Sequence, residues 1–276
     1  MIGNVSRGNI LNSPLGQPIL FIPHGGGPLP LYNQDSISRF LTHLNHVVSN
    51  PLAILVISAH WEAKEPTIVD NPEASLLYDY YGFPAETYHY QYSAPSASKQ
   101  ANSLLESLLP VFPEACIERN RGWDHGVFVP LKLMVPEANI PVFQLSLLSD
   151  LDSSRHMLLG EQLQSLSDQG ILIVGSGFSF HNMQVFMNEA NQQDKIKSKE
   201  FDRWLNDTLT NQKLSALERK SRLTNWELAP HARYCHPREE HLLPLHVCVA
   251  AAGYRQAKNI FNEATSGVIS SGFLWC

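Results

Sequence analysis

The fold is decided by the stretch LAILVISAHW at residues 52–61, an unbroken apolar run that ends in a histidine and a tryptophan. A continuous apolar run of this length predicts a strand over residues 52–58 that is buried on both faces. Such strands belong to parallel sheets whose two faces are covered by helices. His60 follows the predicted strand, so its side chain is expected at the carboxyl edge of the sheet.

Three more apolar runs predict strands of the same sheet, at residues 19–22, 141–147 and 171–174. Helical spacing alternates with them at residues 36–48, 96–109 and 153–167, and an amphipathic helix pair is expected within residues 188–222. The last helix is expected to begin at Pro237, which would leave His236 at the helix mouth, pointing out of the scaffold. This alternation predicts a three-layer α/β/α fold with a mostly parallel central sheet. We expect one catalytic domain over residues 1–276.

Five histidines lie in turns that glycine, proline or aromatic residues mark, and they are His24, His60, His125, His181 and His236. Three of them, His24, His60 and His181, come after predicted strands. Side chains at the carboxyl ends of neighbouring parallel strands converge on one crevice, where open α/β sheets bind their ligands. Because neutral imidazole is the commonest metal-binding side chain, the pattern predicts a metal site.

The remaining histidines carry weaker signals. His89 lies in an aromatic stretch that could equally be a packed surface loop. His241 is expected one turn inside the final helix, where touching the ligand and supporting another residue are equally open. No functional role is expected for the histidines within helical patterns, which are His43, His46, His156 and His246.

Composition argues for a small-molecule ligand. The formal net charge is −6 and no stretch is rich in Lys and Arg, which argues against nucleic acid or an anionic membrane as the partner. Residues 1–18 lack the pattern of a signal peptide, and no apolar run is long enough to span a bilayer, so a cytoplasmic protein is expected. The four cysteines are scattered without C-x-x-C spacing, which predicts reduced thiols and no thiolate zinc site.

Common hydrolase and phosphate-binding motifs are incomplete. The sequence has no H-E-x-x-H helix, and the GSG at residues 175–177 lacks the full G-x-S-x-G elbow. The GGG at residues 25–27 lacks the Lys-Ser/Thr of a phosphate-binding loop, so these glycines are interpreted as room for the backbone beside a ligand.

Six motifs in order resemble those of one known family. They are PHGGGP at 23–28, SAHW at 58–61, YYGFP at 80–84, GWDHG at 122–126, GSG at 175–177 with His181 and Asn182, and HPREEH at 236–241. Together they resemble the 4,5-DOPA extradiol dioxygenase group of the LigB-type class III extradiol ring-cleavage superfamily. The resemblance covers residue 19 to about residue 253.

The resemblance implies a metal-dependent dioxygenase that opens a catechol ring, with DOPA-like diols as the first expected substrates and O2 as the second. It implies that His24, His60 and His236 bind the metal, while His181 and His125 flank the substrate and the oxygen. His181 is expected to move the catechol proton, since imidazole suits proton transfer near neutral pH. His125 is expected to hydrogen-bond the substrate or oxygen. Asp124 is too close in sequence to be a simple orienting partner for His125, and its non-functional interpretation is a loop cap.

The expected ligand set departs from the wider superfamily, whose protocatechuate-cleaving branch resembles the two-histidine, one-carboxylate iron site. Here the third position is His236, and the nearest carboxylates are Glu239 and Glu240. Three imidazoles suit one divalent metal, Fe(II) for activity or Zn(II) as bound, and with zinc His181 is a candidate fourth ligand. The alternatives are a non-catalytic metal-binding protein on this scaffold and a zinc-dependent hydrolase. A monomer or small homo-oligomer is expected.

Overall fold

The computed structural model describes residues 16–48, 50–73 and 75–276, and eight strands within them form one sheet. The strands are β1 (Ile19–Pro23), β2 (Ala53–Ala63), β3 (Thr67–Val69), β4 (Cys116–Glu118), β5 (Val142–Leu148), β6 (Ile171–Gly177), β7 (Lys258–Thr265) and β8 (Val268–Trp275). Their order across the sheet is β4-β3-β5-β2-β6-β1-β8-β7.

The centre of the sheet is parallel, as the sequence predicted. Strands β5, β2, β6 and β1 all run in one direction, while β3 is antiparallel to β5 and β8 is antiparallel to β1. The four predicted strands are confirmed. Sequence reasoning missed the β7–β8 hairpin, whose turn places Ser266 and Gly267 at positive φ of 50° and 84°. Two such residues between strands are typical of a two-residue hairpin turn.

The described helices are α1 (Leu29–Tyr32), α2 (Ser36–His43), α3 (Ser98–Leu108), α4 (His125–Met134), α5 (Ser153–Glu161), α6 (Met183–Met187), α7 (Gln192–Thr210), α8 (Ala216–Thr224), α9 (Ala232–Cys235) and α10 (Leu243–Ala251). Short 3-10 segments lie at Leu44–His46, Ala85–His89 and Trp226–Leu228. The predicted helix pair within residues 188–222 is confirmed as α7 and α8, each with a capping box at its start.

The prediction for the last helix was wrong. The helix begins at Leu243 instead of Pro237, and its early proline is Pro244. Residues 236–242 form a turn between α9 and α10, and His236 in this turn is fully buried instead of pointing outward. The carbonyl oxygen of His241 accepts from the N–H of Phe178, just after β6, at 2.9 Å, so this turn is bonded to the end of the strand.

Alternate side chains of the central strands point to opposite faces of the sheet and pack into two apolar cores, one on each face. On one face, Leu20 and Ile22 of β1 pack with residues of α2 and α4. On the other face, Ile19 and Phe21 pack with residues of α5, α7 and α10. Because both faces are covered, a ligand can approach the central strands only at an end of the sheet.

Among the described residues, no helix is long and apolar enough to cross a membrane. Residues 1–15, on which the expectation about a leader segment largely rested, lie outside the described residues.

Candidate metal centre

His24 follows β1 directly, and its side chain is fixed by β6. The Ser176 Oγ donates to the carbonyl oxygen of Gly126 at 2.5 Å, so it accepts from the Nδ1–H of His24 at 3.0 Å. Nδ1 therefore carries the proton, and the Nε2 of His24 presents a lone pair. Gly25 holds the chain after His24 at a φ of +86°, a conformation that L side chains rarely adopt.

His60 faces His24 from β2, which is separated from β1 by β6. Strand β2 continues to Ala63, so His60 lies within the strand instead of after it. The Nε2 atoms of His24 and His60 are 3.0 Å apart, and the Nδ1 of His60 lies 3.8 Å from Asp79. Two ring nitrogens, one on the buried His24 and one on the half-buried His60, converge on one point and form a donor set that fits a divalent cation.

His125 is the first residue of α4 and lies beside His60, with ring centroids 3.9 Å apart. Its Nδ1 and its backbone N–H both donate to Asp79 Oδ1, at 2.8 and 3.0 Å. Burial alone would raise the pKa of Asp79, but these contacts with His125 hold the pKa below its usual value. Asp79 is therefore ionised and acts as an acceptor.

Asp124 precedes α4 at the N-cap position, but its side chain makes no capping bond. The buried carboxylate instead accepts from Ser58 Oγ at 2.6 Å and from Gln144 Nε2 at 2.7 Å, with Arg121 3.4 Å away. The loop-cap interpretation was wrong, because the carboxylate of Asp124 bonds to side chains of two strands instead of to the backbone of α4. Asp124 joins the start of α4 to β2 and β5, which sets the position of His125 beside His60.

His181 and His241 form the other side of the cluster. Their rings stack with centroids 3.4 Å apart at an interplanar angle of 15°. The Oε1 of Glu240 lies 2.9 Å from the Nδ1 of His241 and 3.3 Å from that of His181. The ring of His241 is 5.3 Å from that of His24 and 4.9 Å from that of His60, so it reaches the same centre.

The electrostatics keep the imidazoles of His24, His60 and His241 neutral. Burial, reinforced by the neighbouring imidazoles, lowers the pKa of His24 and of His241 well below the ordinary value. The pKa of His60 is lowered in the same way, although Asp79 opposes the shift. Neutral imidazole is the form that binds metals, and the site is therefore ready to accept a cation at neutral pH.

The structure brings together four of the five histidines that the sequence singled out. His24, His60 and His125 form one group of candidate ligands, with His181, Glu240 and His241 as another, and the ligand atoms within each group lie within 4.8 Å of one another. The fifth, His236, is turned away from both groups. Its Nε2–H donates to the carbonyl oxygen of Ser179 at 3.0 Å, and its ring packs against Phe201 and Trp226.

Sequence reasoning left the role of His241 open and missed the roles of Asp79 and Glu240. The motif HPREEH contains two histidines five residues apart, and only the packing of the turn shows which one faces the centre. For Asp79, the available signal was its position in the aromatic stretch, directly before YYGFP. Metal-binding histidines commonly donate their other ring N–H to a carboxylate, so an acidic residue beside a histidine motif is a signal for such a partner.

Comparison with known proteins identifies the family. The sequence profile of the catalytic LigB subunit of aromatic ring-opening dioxygenases matches residues 24–274. The chain belongs to the LigB family. It is 38% identical to a 4,5-DOPA dioxygenase extradiol of Beta vulgaris over 91% of this chain and 93% of that protein. It is also 35% identical to a dioxygenase, TasH, of Hapsidospora irregularis over 94% of this chain and 85% of that protein.

A solved structure is similar over the same range. The crystal structure of an uncharacterized protein from Escherichia coli K12 superposes with a TM-score of 0.77 at 26% identity, covering 94% of this chain and 99% of that one. As a member of the LigB family with named extradiol dioxygenases among its relatives, the present chain is an extradiol dioxygenase that opens aromatic rings. The relatives named as dioxygenases support this activity over the hydrolase and the non-catalytic alternatives. LigB dioxygenases depend on a metal, and the cluster of histidines around His24 and His60 supplies a place for one.

Proposed function

We propose that His24, His60 and His241 hold one divalent metal ion, and that His125 and His181 serve the substrate and oxygen from two sides. The observation that carries the proposal is the convergence of the three rings. The Nε2 atoms of His24 and His60 are 3.0 Å apart, and the ring of His241 lies 5.3 and 4.9 Å from theirs. His125 lies as near, at 5.3 and 3.9 Å, but the family resemblance expects the third ligand from HPREEH, and His241 is the histidine of that motif that faces the centre. His241 takes the place expected for His236, whose Nε2 is already bonded to Ser179.

The metal proposed for activity is Fe(II), with Zn(II) able to bind at the same residues. Three imidazole ligands leave positions open for substrate and oxygen, which a fourth protein ligand would reduce. His181 stacks on His241 at the edge of the centre, so it is the residue best placed to become a fourth ligand to zinc. In the iron form we assign His181 to proton transfer.

The substrate that fits is an aromatic diol. Aromatic side chains surround the histidines, with Phe178 5.3 Å from His24, Phe186 6.0 Å from His181 and Tyr80 6.0 Å from His125 between ring centroids. Edge and face contacts of this kind favour a planar aromatic ring. The similarity to 4,5-DOPA dioxygenases supports a catechol with a DOPA-like side chain. The partners are thus the diol and O2, and the expected monomer or small homo-oligomer stays a prediction.

The chain's own residues carry the protons of the reaction. A bound divalent metal would supply the means to hold both catechol oxygens next to dioxygen. His181 takes the proton of a catechol hydroxyl and later returns it to the leaving oxygen. His125, whose Nδ1–H is committed to Asp79, directs its other nitrogen to hydrogen-bond the substrate or the oxygen. The aromatic side chains exclude water from the reacting ring.

The test is turnover by the iron-loaded protein. The apo-protein is loaded anaerobically with Fe(II), mixed with a panel of catechols that includes DOPA, and then exposed to oxygen. We expect oxygen uptake and a yellow ring-opened semialdehyde, because an extradiol enzyme cuts beside the two hydroxyl-bearing carbons. A colourless muconate would indicate intradiol cleavage, and no uptake with any catechol would contradict the proposed substrate class.

A further inference from the structure

Two carboxylates of the centre are arranged alike. Asp79 Oδ1 lies 2.8 Å from the Nδ1 of His125, and its Oδ2 lies 3.8 Å from the Nδ1 of His60. On the other side, Glu240 Oε1 lies 2.9 Å from the Nδ1 of His241 and 3.3 Å from the Nδ1 of His181. Each carboxylate thus faces one imidazole assigned to the metal and one assigned to the substrate.

We propose that Asp79 and Glu240 are positioning residues that orient these four imidazoles and link metal binding to turnover. The inference rests on the proposed function, since it uses that assignment of ligands and proton-transfer groups. Neither carboxylate is a metal ligand in this assignment. Each acts on the metal and substrate only through the rings that it holds.

The chemistry of the acceptors fixes the tautomers. An ionised carboxylate accepts hydrogen bonds and donates none, so the ring nitrogen facing it carries the proton. The opposite nitrogen, Nε2, then has a free lone pair on the side of the centre. For His125 and His241 this follows from hydrogen bonds of 2.8 and 2.9 Å. Across 3.8 Å, Asp79 acts on His60 through its charge.

The carboxylates are themselves held in place. The backbone N–H of His125, at the start of α4, donates to Asp79 at 3.0 Å. Arg238 lies 3.5 Å from Glu240 and makes two bonds, of 2.6 and 2.7 Å, to Glu62. Glu62 lies on β2 two residues beyond His60, so Arg238 ties the turn that carries Glu240 to the strand that carries His60.

A shared carboxylate predicts a double effect. Loss of a group that serves proton transfer alone changes turnover and leaves the metal bound. Loss of Glu240 frees the rings of His241 and His181 together, so it should weaken the metal and slow turnover in the same variant. Removing the acceptor of a metal-binding histidine typically costs about 10-fold to 100-fold in metal affinity or activity.

The test uses Co(II) as the probe, because its visible absorption bands report the ligands around it. Asp79→Ala, Asp79→Asn, Glu240→Ala and Glu240→Gln are compared with the wild type by chelator competition, by the Co(II) spectrum and by kcat and KM after Fe(II) loading. Glu240→Ala should bind Co(II) about 10-fold to 100-fold more weakly with shifted bands, because Glu240 is the acceptor for the ligand His241. Asp79→Ala should weaken Co(II) less, because Asp79 faces the ligand His60 across 3.8 Å. In both variants kcat should fall more than KM changes. The amide variants keep an acceptor oxygen and should retain part of the affinity.

Glu239→Gln is the matched control, since Glu239 precedes Glu240 but pairs with Arg233 at 2.5 Å. It should match the wild type in Co(II) affinity and spectrum. Glu240→Gln and Asp79→Asn preserve side-chain size, so they keep the test valid where an alanine variant fails to fold.

Wild-type affinity and spectrum in all four carboxylate variants would overturn the inference, and so would complete loss of the metal site in an amide variant, which would make that carboxylate a ligand. His24→Ala and His241→Ala in the same assay separate the two levels of the argument. If these variants still bind Co(II) normally, the proposed ligand set fails. If they lose it while the carboxylate variants behave like the wild type, only the positioning role fails.

Discussion

At the scale of single residues, two histidines five positions apart have opposite surroundings. His241 lies at the centre with its Nδ1 on Glu240. His236 is buried against Phe201 and Trp226. Burial lowers the pKa of His236 to about 3, and its Nε2–H donates to the carbonyl oxygen of Ser179. The same side chain therefore serves as a candidate ligand at one position and as a packed, hydrogen-bonded core residue at the other.

These surroundings predict opposite results for two alanine variants. His241→Ala should lose most of its metal while the fold persists. His236→Ala should retain about one metal per chain but lower the free energy of unfolding by about 2–4 kcal/mol, because it leaves a cavity and an unpaired Ser179 carbonyl. Metal analysis and denaturant unfolding measure the two effects. A metal-free, stably folded His236→Ala would restore His236 as a ligand.

His125 allows a test of catalysis apart from metal binding. His125→Asn should keep Fe(II) and catechol binding, yet kcat should fall by roughly 10²-fold or more, the usual scale for a lost proton-transfer or hydrogen-bonding group. His89→Asn is the control, because His89 is exposed in the 3-10 segment Ala85–His89. Wild-type turnover in His125→Asn would remove this residue from the mechanism.

At the scale of elements, the end of β6 and the turn before α10 are built against each other. The N–H of Phe178 donates to the carbonyl oxygen of His241 at 2.9 Å, and that of His181 donates to Cys235 at 2.9 Å. A Cβ added at Gly177 would lie 2.2 Å from the carbonyl oxygen of His241. The glycine is thus required for the close approach that places His241 at the centre.

Gly177→Ala should therefore push the turn away from β6. We expect metal affinity to fall on the order of tenfold or more and stability to fall by about 1–3 kcal/mol. Chelator competition measures the first and thermal unfolding of the apo-protein the second. An alanine variant with wild-type affinity would show that the position of His241 does not depend on this contact.

His156 plays a structural role between two elements. Its Nε2 accepts from the N–H of Leu148 at the end of β5, and its Nδ1–H donates to the carbonyl oxygen of Asp152 before α5, at 3.0 and 2.7 Å. Burial lowers the pKa of His156 to about 4, so the native ring is neutral at pH 7. Protonation of Nε2 would break the bond to Leu148.

The sign of the pH effect follows from this depressed pKa. Above the unfolded pKa of about 6.5 the contribution is complete, and it is lost as the pH falls towards the folded value, since the unfolded chain binds the proton more tightly. Between pH 7 and pH 5 the loss is about 2 kcal/mol. Urea unfolding of the apo-protein should show a weaker pH dependence in His156→Asn than in the wild type, and equal slopes would contradict the assignment.

At the scale of the whole molecule, the centre joins distant parts of the chain. Its proposed ligands come from the end of β1, from β2 and from the turn before α10, so the metal closes very long loops. A ligand that binds only the folded state stabilises it according to its concentration relative to its dissociation constant. We therefore expect metal binding and folding to be coupled in this protein.

Removal of the metal should lower the melting temperature. At a free metal concentration 100 times the dissociation constant, the stabilisation is about 2.7 kcal/mol, which corresponds to about 5–10 °C for a chain of this size. Calorimetry with and without chelator measures the shift, and His241→Ala should show little of it. A melting temperature that does not respond to metal in the wild type would contradict the coupling.

The sequence by itself determined the central sheet and the region of the site. The apolar runs at residues 19–22, 52–58, 141–147 and 171–174 can be buried only as strands covered on both sides, and the residues after them must meet at one edge. His24, His60 and His181 could be predicted in this way, and His125 from its place in the GWDHG motif. The motifs, taken in order, also predicted the family and the extradiol chemistry.

Only the tertiary structure decided which histidine of HPREEH faces the centre. A turn has no fixed periodicity, so the orientation of His236 and His241 depends on contacts with β6, above all on the space that Gly177 leaves. The proposed role of Asp79 likewise depends on its contact with His125, which is far away in sequence. That of Glu240 depends on a turn that the sequence analysis had assigned to a helix. Local pattern fixes what is buried in a strand or helix, whereas the direction of a side chain in a turn is set by whatever packs against it.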